Sequence, residues 1–128
     1  HWFNHLLISP GGKRFGFLHR WRGPSEGRGF ATRMFTANVD GTDLRLLDGH
    51  GRVSHFHWKD ARTLIVWARR PEAGEGWYLI EDGTGAAVPY ARKEMPRNGH
   101  LTFFGNGRWI VNDTGPDEER KQTVYVYD

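Results

Sequence analysis

Short runs of alternating apolar and polar residues, separated by glycine-rich turns, follow one another along the whole chain. From Phe15 to Trp21, aromatic or histidine side chains occupy every second position, which is the period of a strand with one buried face. Residues 64–67 instead form a continuous apolar run, typical of a strand covered on both sides. The only segment with helical character, residues 91–95, is stopped by Pro96. The pattern therefore predicts an all-β protein.

The strands recur in a repeated order. Segments that begin at His5, His55 and His100 each contain an apolar strand, a turn ending in arginine, and a second apolar strand. The turn arginines are spaced by 48 and 46 residues (Arg14, Arg62, Arg108). An aspartate follows the third strand at spacings of 42 and 46 residues (Asp40, Asp82, Asp128). Fourth strands are expected at residues 44–47 and 86–90.

A four-stranded unit of about 40–50 residues is typical of a β-propeller blade. We predict about three four-stranded antiparallel blades, at about 3–50, 52–95 and 98–128, the last incomplete, in a single segment covering residues 1–128. Since propellers close with about 4–8 blades, this would be a partial β-propeller. Either the remaining blades of a longer protein or self-assembly would complete it.

Loops between the second and third strands are expected at residues 23–29, 72–76 and 115–121, on one face of the propeller. They are either ordinary solvated connections or part of a binding face. Tryptophan could stack on sugar rings, but Trp67 and Trp109 lie inside apolar strands and are expected in the core.

Composition supports this picture and excludes some functions. The chain has 128 residues with 17 Gly, 6 Trp and 8 Phe, a turn-rich and aromatic composition that suits β-structure. Because it has no cysteine, it has no disulfide, thiolate metal site or cysteine nucleophile. The absence of cysteine does not decide between the cytoplasm and the periplasm.

The charge distribution and the apolar runs bear on possible partners. The net charge of +3 includes no block of five like charges, which argues against a nucleic-acid partner. No apolar run approaches the about 18–20 residues that span a membrane.

Three histidines share one position of the repeat. The first strand of each blade lines the centre of a propeller, so His5, His55 and His100 are predicted to form a ring around its axis. Neutral imidazoles bind divalent transition metals, and one imidazole could act instead as a general base. The alternative is a structural hydrogen-bond network within each blade. His57 shares a strand face with His55 and is either a further ligand or a packed ring.

Charged residues at the ends of second strands surround the same predicted opening. Arg20 and Arg22 end the first of these strands, and Asp113 ends the third. Arginine there could receive a substrate carboxylate by bidentate pairing. Ordinary surface arginines are the alternative.

Several of these segments resemble known propeller families. The turns at residues 9–14 and 105–109 resemble the Ser-Pro-Asp-Gly-Lys/Arg turn of TolB-type propeller repeats. More narrowly, residues 4–10, 54–58 and 99–113 resemble the histidine-bearing blades of oligogalacturonate lyases. The similarity covers most of the chain, and the three histidine positions are its more specific part.

The lyase resemblance implies a seven-bladed enzyme that cleaves acidic oligosaccharides by β-elimination with a divalent metal, manganese being favoured. It implies that His55 and His100 are metal-ligand positions and that His5 is the base. Arg20 and Arg33 are candidates for the catalytic arginine. The sequence departs from the family at Thr102, where the family has the second histidine of a His-x-His pair.

Two functions follow as hypotheses. The first is a segment of a carbohydrate-active propeller resembling oligogalacturonate lyase, with His5, Arg20 and Arg33 catalytic, His55, His57 and His100 binding metal, and Arg22 and Asp113 contacting substrate. The second is a non-catalytic TolB-like propeller segment that binds a protein or a small ligand.

Overall fold

The computed structural model describes residues 1–23, 27 and 29–128, and these form three antiparallel sheets. The prediction of an all-β fold is confirmed: the described residues contain eleven strands and no helix. The first sheet contains β1 (Trp2–Ile8), β2 (Arg14–Trp21), β3 (Ala31–Asn38) and β4 (Arg45–Asp48). The second contains β5 (Val53–Trp58), β6 (Thr63–Arg70), β7 (Gly74–Glu81) and β8 (Ala87–Pro89), and the third contains β9 (Leu101–Phe104), β10 (Trp109–Asp113) and β11 (Val124–Tyr127).

Within each sheet, strands that are consecutive in the chain are antiparallel neighbours. The turn between β1 and β2 shows how glycine allows the chain to reverse direction. Gly11 and Gly12 have φ values of +88° and +70°, which glycine adopts without a steric penalty. The amide of Gly12 donates to the carbonyl of Ser9 at 2.9 Å, and that of Ser9 donates to the carbonyl of Arg14 at 2.8 Å. The predicted turn at residues 9–14 therefore closes the first hairpin.

The second sheet is the middle layer of the molecule. Leu64 and Val66, on one face of β6, are fully buried in the core shared with the first sheet, and Ile65, on the other face, is buried against the third. This accounts for the continuous apolar run at residues 64–67. Where the first two sheets meet, a Cβ on Gly16 would lie 2.9 Å from the ring of Phe56.

The first strands of the three sheets lie side by side, because β5 contacts both β1 and β9. A hydrogen bond between sheets reinforces the first of these contacts. The indole nitrogen of Trp58, in β5, donates to the carbonyl of Leu7, in β1, at 3.0 Å. The repeated sheets therefore stack in chain order.

Residues 91–95 form a single turn, closed by one bond from the amide of Met95 to the carbonyl of Ala91 at 2.7 Å. One local expectation is corrected. The expected loop at residues 72–76 is shorter, since Gly74 already pairs with Arg70 in the hairpin of β6 and β7.

The other two expected loops were at residues 115–121 and 23–29. The loop at residues 115–121 does connect β10 to β11. The loop at residues 23–29 falls partly on residues 24–26 and 28, which lie outside the described residues. None of the described residues belongs to an apolar helix of membrane-spanning length.

Candidate functional site

The structure brings His5, His55 and His100 together from three different sheets. The ring centroids of His55 and His100 are 4.5 Å apart, those of His5 and His55 are 5.3 Å apart, and those of His5 and His100 are 6.5 Å apart. His5 lies in β1, His55 lies in β5, and His100 immediately precedes β9. We call these three side chains the histidine cluster.

β-Bulges place the first two members of the cluster. In β1, the pairing with β2 shifts between Asn4 and Leu7, so His5 falls in the interrupted stretch. In β5, the pairing with β6 shifts between Val53 and Phe56, so His55 falls in a similar interruption. A bulge turns a side chain away from the strict alternation of its strand. Strand periodicity in the sequence gives no sign of this shift.

Asn98 orients the ring of His55. Its side-chain oxygen lies 2.9 Å from Nδ1 of His55 and also accepts the backbone amide of Gly99 at 3.0 Å. Because an amide oxygen only accepts, Nδ1 carries the hydrogen and Nε2 keeps a free lone pair. The hydroxyl of Ser54 also donates to this oxygen, at 2.9 Å.

Asp113 orients the ring of His100 in the same way. Its carboxylate lies 3.1 Å from Nδ1 of His100 and accepts the backbone amide of His100 at 2.6 Å. A carboxylate accepts only, so the Nε2 lone pair of His100 is also free. Despite partial burial, these bonds from His100 lower the pKa of Asp113. Histidine metal ligands typically have their second nitrogen held by such a group.

His5 is the strained member of the cluster. Its φ is +59°, a left-handed conformation that is uncommon for any residue with a Cβ. Burial lowers its pKa to about 4, helped by the nearby His55, Arg20 and His100, so the ring is neutral at pH 7. Burial also lowers the pKa of His55. The rings of His5 and His55 therefore favour the neutral form.

Arg20 is the cation nearest to this cluster among the predicted site residues. Its charge contributes to the lowered pKa of both His5 and His55. One terminal nitrogen, Nη2, donates to the carbonyl of Ser54 at 3.4 Å, whereas Nε is buried with no partner among the described residues. The Oδ1 atom of Asn4, next to His5, is also buried without a partner. The site therefore has unused hydrogen-bonding capacity.

The three rings have the spacing of a metal site, but the side chains as they stand do not form one. Three imidazoles on one tetrahedral ion would have their centroids about 5 Å apart, given nitrogen–metal bonds of about 2.0–2.1 Å. The observed 4.5–6.5 Å brackets that value. As the side chains stand, however, no group of three His, Asp or Glu in residues 1–23, 27 and 29–128 could hold a metal. Only the distances between the rings therefore favour a metal.

The remaining predicted site residues lie elsewhere. Both ring nitrogens of His57 are engaged, by the carbonyl of Trp58 at 2.8 Å and the hydroxyl of Thr102 at 2.9 Å. Arg33 donates to His19 at 3.1 Å, on the face of the first sheet opposite to Arg20. Arg22 is exposed beyond the end of β2. The structure does not bring these three into the histidine cluster.

Two cavities lie beside the histidine cluster. One of about 200 Å³ is lined by His55, Asn98, His100 and Asp113. A larger one of about 810 Å³ shares Asn98 with it and is also lined by Trp67. The expectation that Trp67 and Trp109 belong to the core is confirmed in part for Trp67, which packs partly buried against the core between the second and third sheets, and Trp109 is also only partly buried. The fully buried tryptophans are Trp58 and Trp77.

Asn98 was not among the predicted site residues. Its signal in the sequence is weak: it precedes Gly99 and His100, and no matching residue precedes the other two histidines. No protein-family model matches the chain, and no curated protein matches it either.

Proposed function

We propose that the three sheets are consecutive blades of a β-propeller and that the histidine cluster is its active centre. The support is the repetition: each sheet contributes one histidine that lies in its first strand or immediately before it, and these strands are neighbours. The chain would act on an acidic sugar in the manner of an oligogalacturonate lyase. The convergence of the three imidazoles is the observation that carries this proposal.

His55 and His100 would hold a divalent metal, with manganese favoured, through their free Nε2 atoms. When bound, the metal would neutralise the uronate carboxylate and make the adjacent C5 proton more acidic. The carboxylate–histidine contact of Asp113 and His100, at 3.1 Å, suits this role, because such contacts fix the ligand's tautomer and raise its basicity.

His5 would be the base. Its neutral ring would take the proton from C5, the electron pair of that C–H bond would form the C4–C5 double bond, and the glycosidic oxygen at C4 would leave with its bonding electrons and take up a proton. Arg20 would bind the substrate carboxylate, because its Nε is buried and has no partner among the described residues.

Metal content and cleavage together test the proposal. The protein is incubated with Mn²⁺, desalted and analysed by mass spectrometry, and oligogalacturonide cleavage is followed by the ultraviolet absorbance of the new double bond. We expect His55→Ala and His100→Ala to lose both metal and activity, and His5→Ala to lose activity while retaining metal. His50→Ala is the matched control, because its side chain is exposed and remote. Equal metal content in His55→Ala and the unsubstituted protein would contradict the metal centre.

A non-catalytic TolB-like propeller segment that binds a protein or small ligand is the second candidate. It is favoured by the Nδ1 atoms of His55 and His100, which already have protein partners, and by the lack, among the described residues, of three side chains placed to hold a metal. In that case all three alanine variants would bind no less Mn²⁺ than the unsubstituted protein, and no oligogalacturonide would be cleaved.

A further inference from the structure

One face of the first sheet is apolar and open to solvent. Because Leu18 of β2 is buried in the core shared with the second sheet, its neighbour Phe17 faces the opposite way. Phe17 is the cross-strand partner of Phe35 in β3, and their rings stack with centroids 5.6 Å apart. The ring of Phe3 lies 5.8 Å from that of Phe17. Phe3 is 64% exposed, and Leu46, the β4 partner of Phe35, is 55% exposed. We call this surface the phenylalanine face.

The second sheet shows such a face in its covered state. Its side that is directed towards the preceding sheet packs on the first sheet. Val66 and Tyr78 are cross-strand partners there, as Phe17 and Phe35 are in the first sheet, and both are fully buried. The phenylalanine face thus has the composition of a buried sheet face, and contiguous exposed apolar groups mark an interaction surface. The repeat therefore predicts a further sheet against it.

The third sheet has an open face on its other side. Because Ile110 is buried against the second sheet, its neighbour Val111 faces away from it. Val111 is the partner of Val126 in β11, which is 55% exposed. Phe104 and Trp109 stack at the turn end of the same face. We call this surface the valine face. Its small side chains leave room for protruding rings such as that of Phe3.

Charged residues of the repeat complement each other across these two faces. The turn arginine of the first sheet, Arg14, pairs with Asp82, the aspartate that follows the third strand of the second sheet. At the open ends of the stack, the same two positions are Arg108 on the third sheet and Asp40 on the first. Both are exposed, and their hydrogen bonds and ion pairs stay within their own repeat unit. A valine face placed on a phenylalanine face would bring this arginine to this aspartate.

We infer that the phenylalanine face binds the valine face of a second copy of this chain, in the way that the second sheet binds the first within one copy. The contact is heterologous, since two different surfaces meet, and such contacts close into rings when the rotation allows. Two copies of three sheets give six, which is within the about 4–8 blades of a closed propeller. The inference rests on the blade arrangement proposed above and not on the chemistry of the histidine cluster.

Light scattering on a size-exclusion column tests the assembly. The unsubstituted protein should elute as a dimer. Phe3→Ser and Val126→Ser each remove an exposed apolar side chain from one of the two faces, and each should raise the dissociation constant about tenfold or more. Val88→Ser is the matched control, because Val88 is 57% exposed but belongs to β8 of the second sheet. A monomer at every concentration, or an unchanged dissociation constant in either face variant, would overturn the inference.

Cysteine crosslinking identifies which faces meet, because the chain has no cysteine of its own. A mixture of Asp40→Cys and Arg108→Cys proteins, treated with a short bis-maleimide, should form a crosslinked pair, and neither protein should crosslink alone. Glu119→Cys is the control partner for Asp40→Cys, since residue 119 lies beyond the opposite end of β10 from Arg108. Crosslinking of either protein alone, or none in the mixture, would contradict the contact. Metal binding and cleavage, measured separately, decide the function proposed above in either case.

Discussion

The side chain of Asn98 lies 2.9 Å from Nδ1 of His55, although 43 residues separate them in the chain. Asn98 belongs to the segment that leads into the third sheet, whereas His55 lies in the second sheet. The contact therefore joins two sheets and at the same time sets which nitrogen of His55 carries the hydrogen. The hydroxyl of Ser54 lies 3.1 Å from the same nitrogen, but a hydroxyl can donate or accept, so it is the Asn98 oxygen that fixes the hydrogen on Nδ1.

Replacing Asn98 should allow the ring of His55 to adopt both neutral tautomers. In Asn98→Ala we expect the nitrogen NMR signals of His55 to shift from a single Nδ1–H form towards a mixture of both tautomers. Metal affinity should fall about 10–100-fold, the usual loss when an outer partner of a ligating histidine is removed. Asn98→Asp is the matched control, because it keeps an accepting oxygen and should retain the Nδ1–H form. An unchanged His55 spectrum in Asn98→Ala would show that the contact does not set the tautomer.

Gly99 should not tolerate a side chain. A Cβ at this position would lie 1.5 Å from the backbone carbonyl oxygen of Asp113, so the chain would have to move. We expect Gly99→Ala to lower the free energy of unfolding by about 1–3 kcal/mol or more and to displace Asp113 from His100. Urea denaturation and the His100 NMR signals measure the two effects.

Gly115→Ala provides the comparison for this variant. A Cβ there meets no atom within 4 Å, and the backbone needs no left-handed conformation. We expect its stability to remain near that of the unsubstituted protein. Equal stabilities of the two alanine variants would contradict the close approach of Gly99 and Asp113.

Periodicity and turn chemistry predicted most of the fold. The alternation from Phe15 to Trp21 separates the two faces of β2 as expected, and the apolar run at residues 64–67 lies in the strand covered by both neighbouring sheets. Trp67 continues this run and packs against the same core as Ile65, but its indole stays partly exposed beside a cavity.

Only part of the candidate site could be read from the sequence. The register of the repeat placed His5, His55 and His100 at equivalent positions, and their rings do lie together. Asn98 could not be found in this way, because its contact with His55 depends on how two sheets pack. Strand periodicity also placed His57 on the same face as His55, and the bulge before Phe56 breaks that relation.

The buried pair of Arg14 and Asp82 should contribute strongly to stability. Arg14 begins β2 of the first sheet, and Asp82 follows β7 of the second, where its carboxylate also accepts the hydroxyl of Thr36. The exposed fractions of the two charged side chains are only 12% and 4%. Asp43 remains beside the Arg14 guanidinium at 2.9 Å when the Asp82 charge is removed, so Asp82→Asn should cost about 1.5–3 kcal/mol in urea denaturation, the usual loss for a hydrogen bond to a charged group.

The exposed pair of Lys121 and Glu119 is the control for this effect. Their side chains are 72% and 71% exposed, and water screens such pairs. Glu119→Gln should leave the denaturation midpoint almost unchanged. A similar midpoint for Asp82→Asn would show that the Arg14 contact does not hold the two sheets together.

His19 should make stability depend on pH. Its ring is buried, and Nδ1 accepts a hydrogen bond from Nε of Arg33 at 3.1 Å, so protonating the ring would break that bond. Burial, followed by the charge of Arg33, lowers the pKa of His19 in the folded protein. The unfolded chain, with the ordinary histidine pKa of about 6.5, then binds more protons in acid. We expect the free energy of unfolding to decrease as the pH falls below about 6.5, and to keep decreasing until the pH has passed below the pKa of His19 in the folded protein.

The control variant is His19→Asn, which keeps an acceptor for Arg33 and cannot titrate. Its stability, measured by urea denaturation, should decrease less over the same pH range. Parallel pH curves for the two proteins would exclude His19 as a source of the effect.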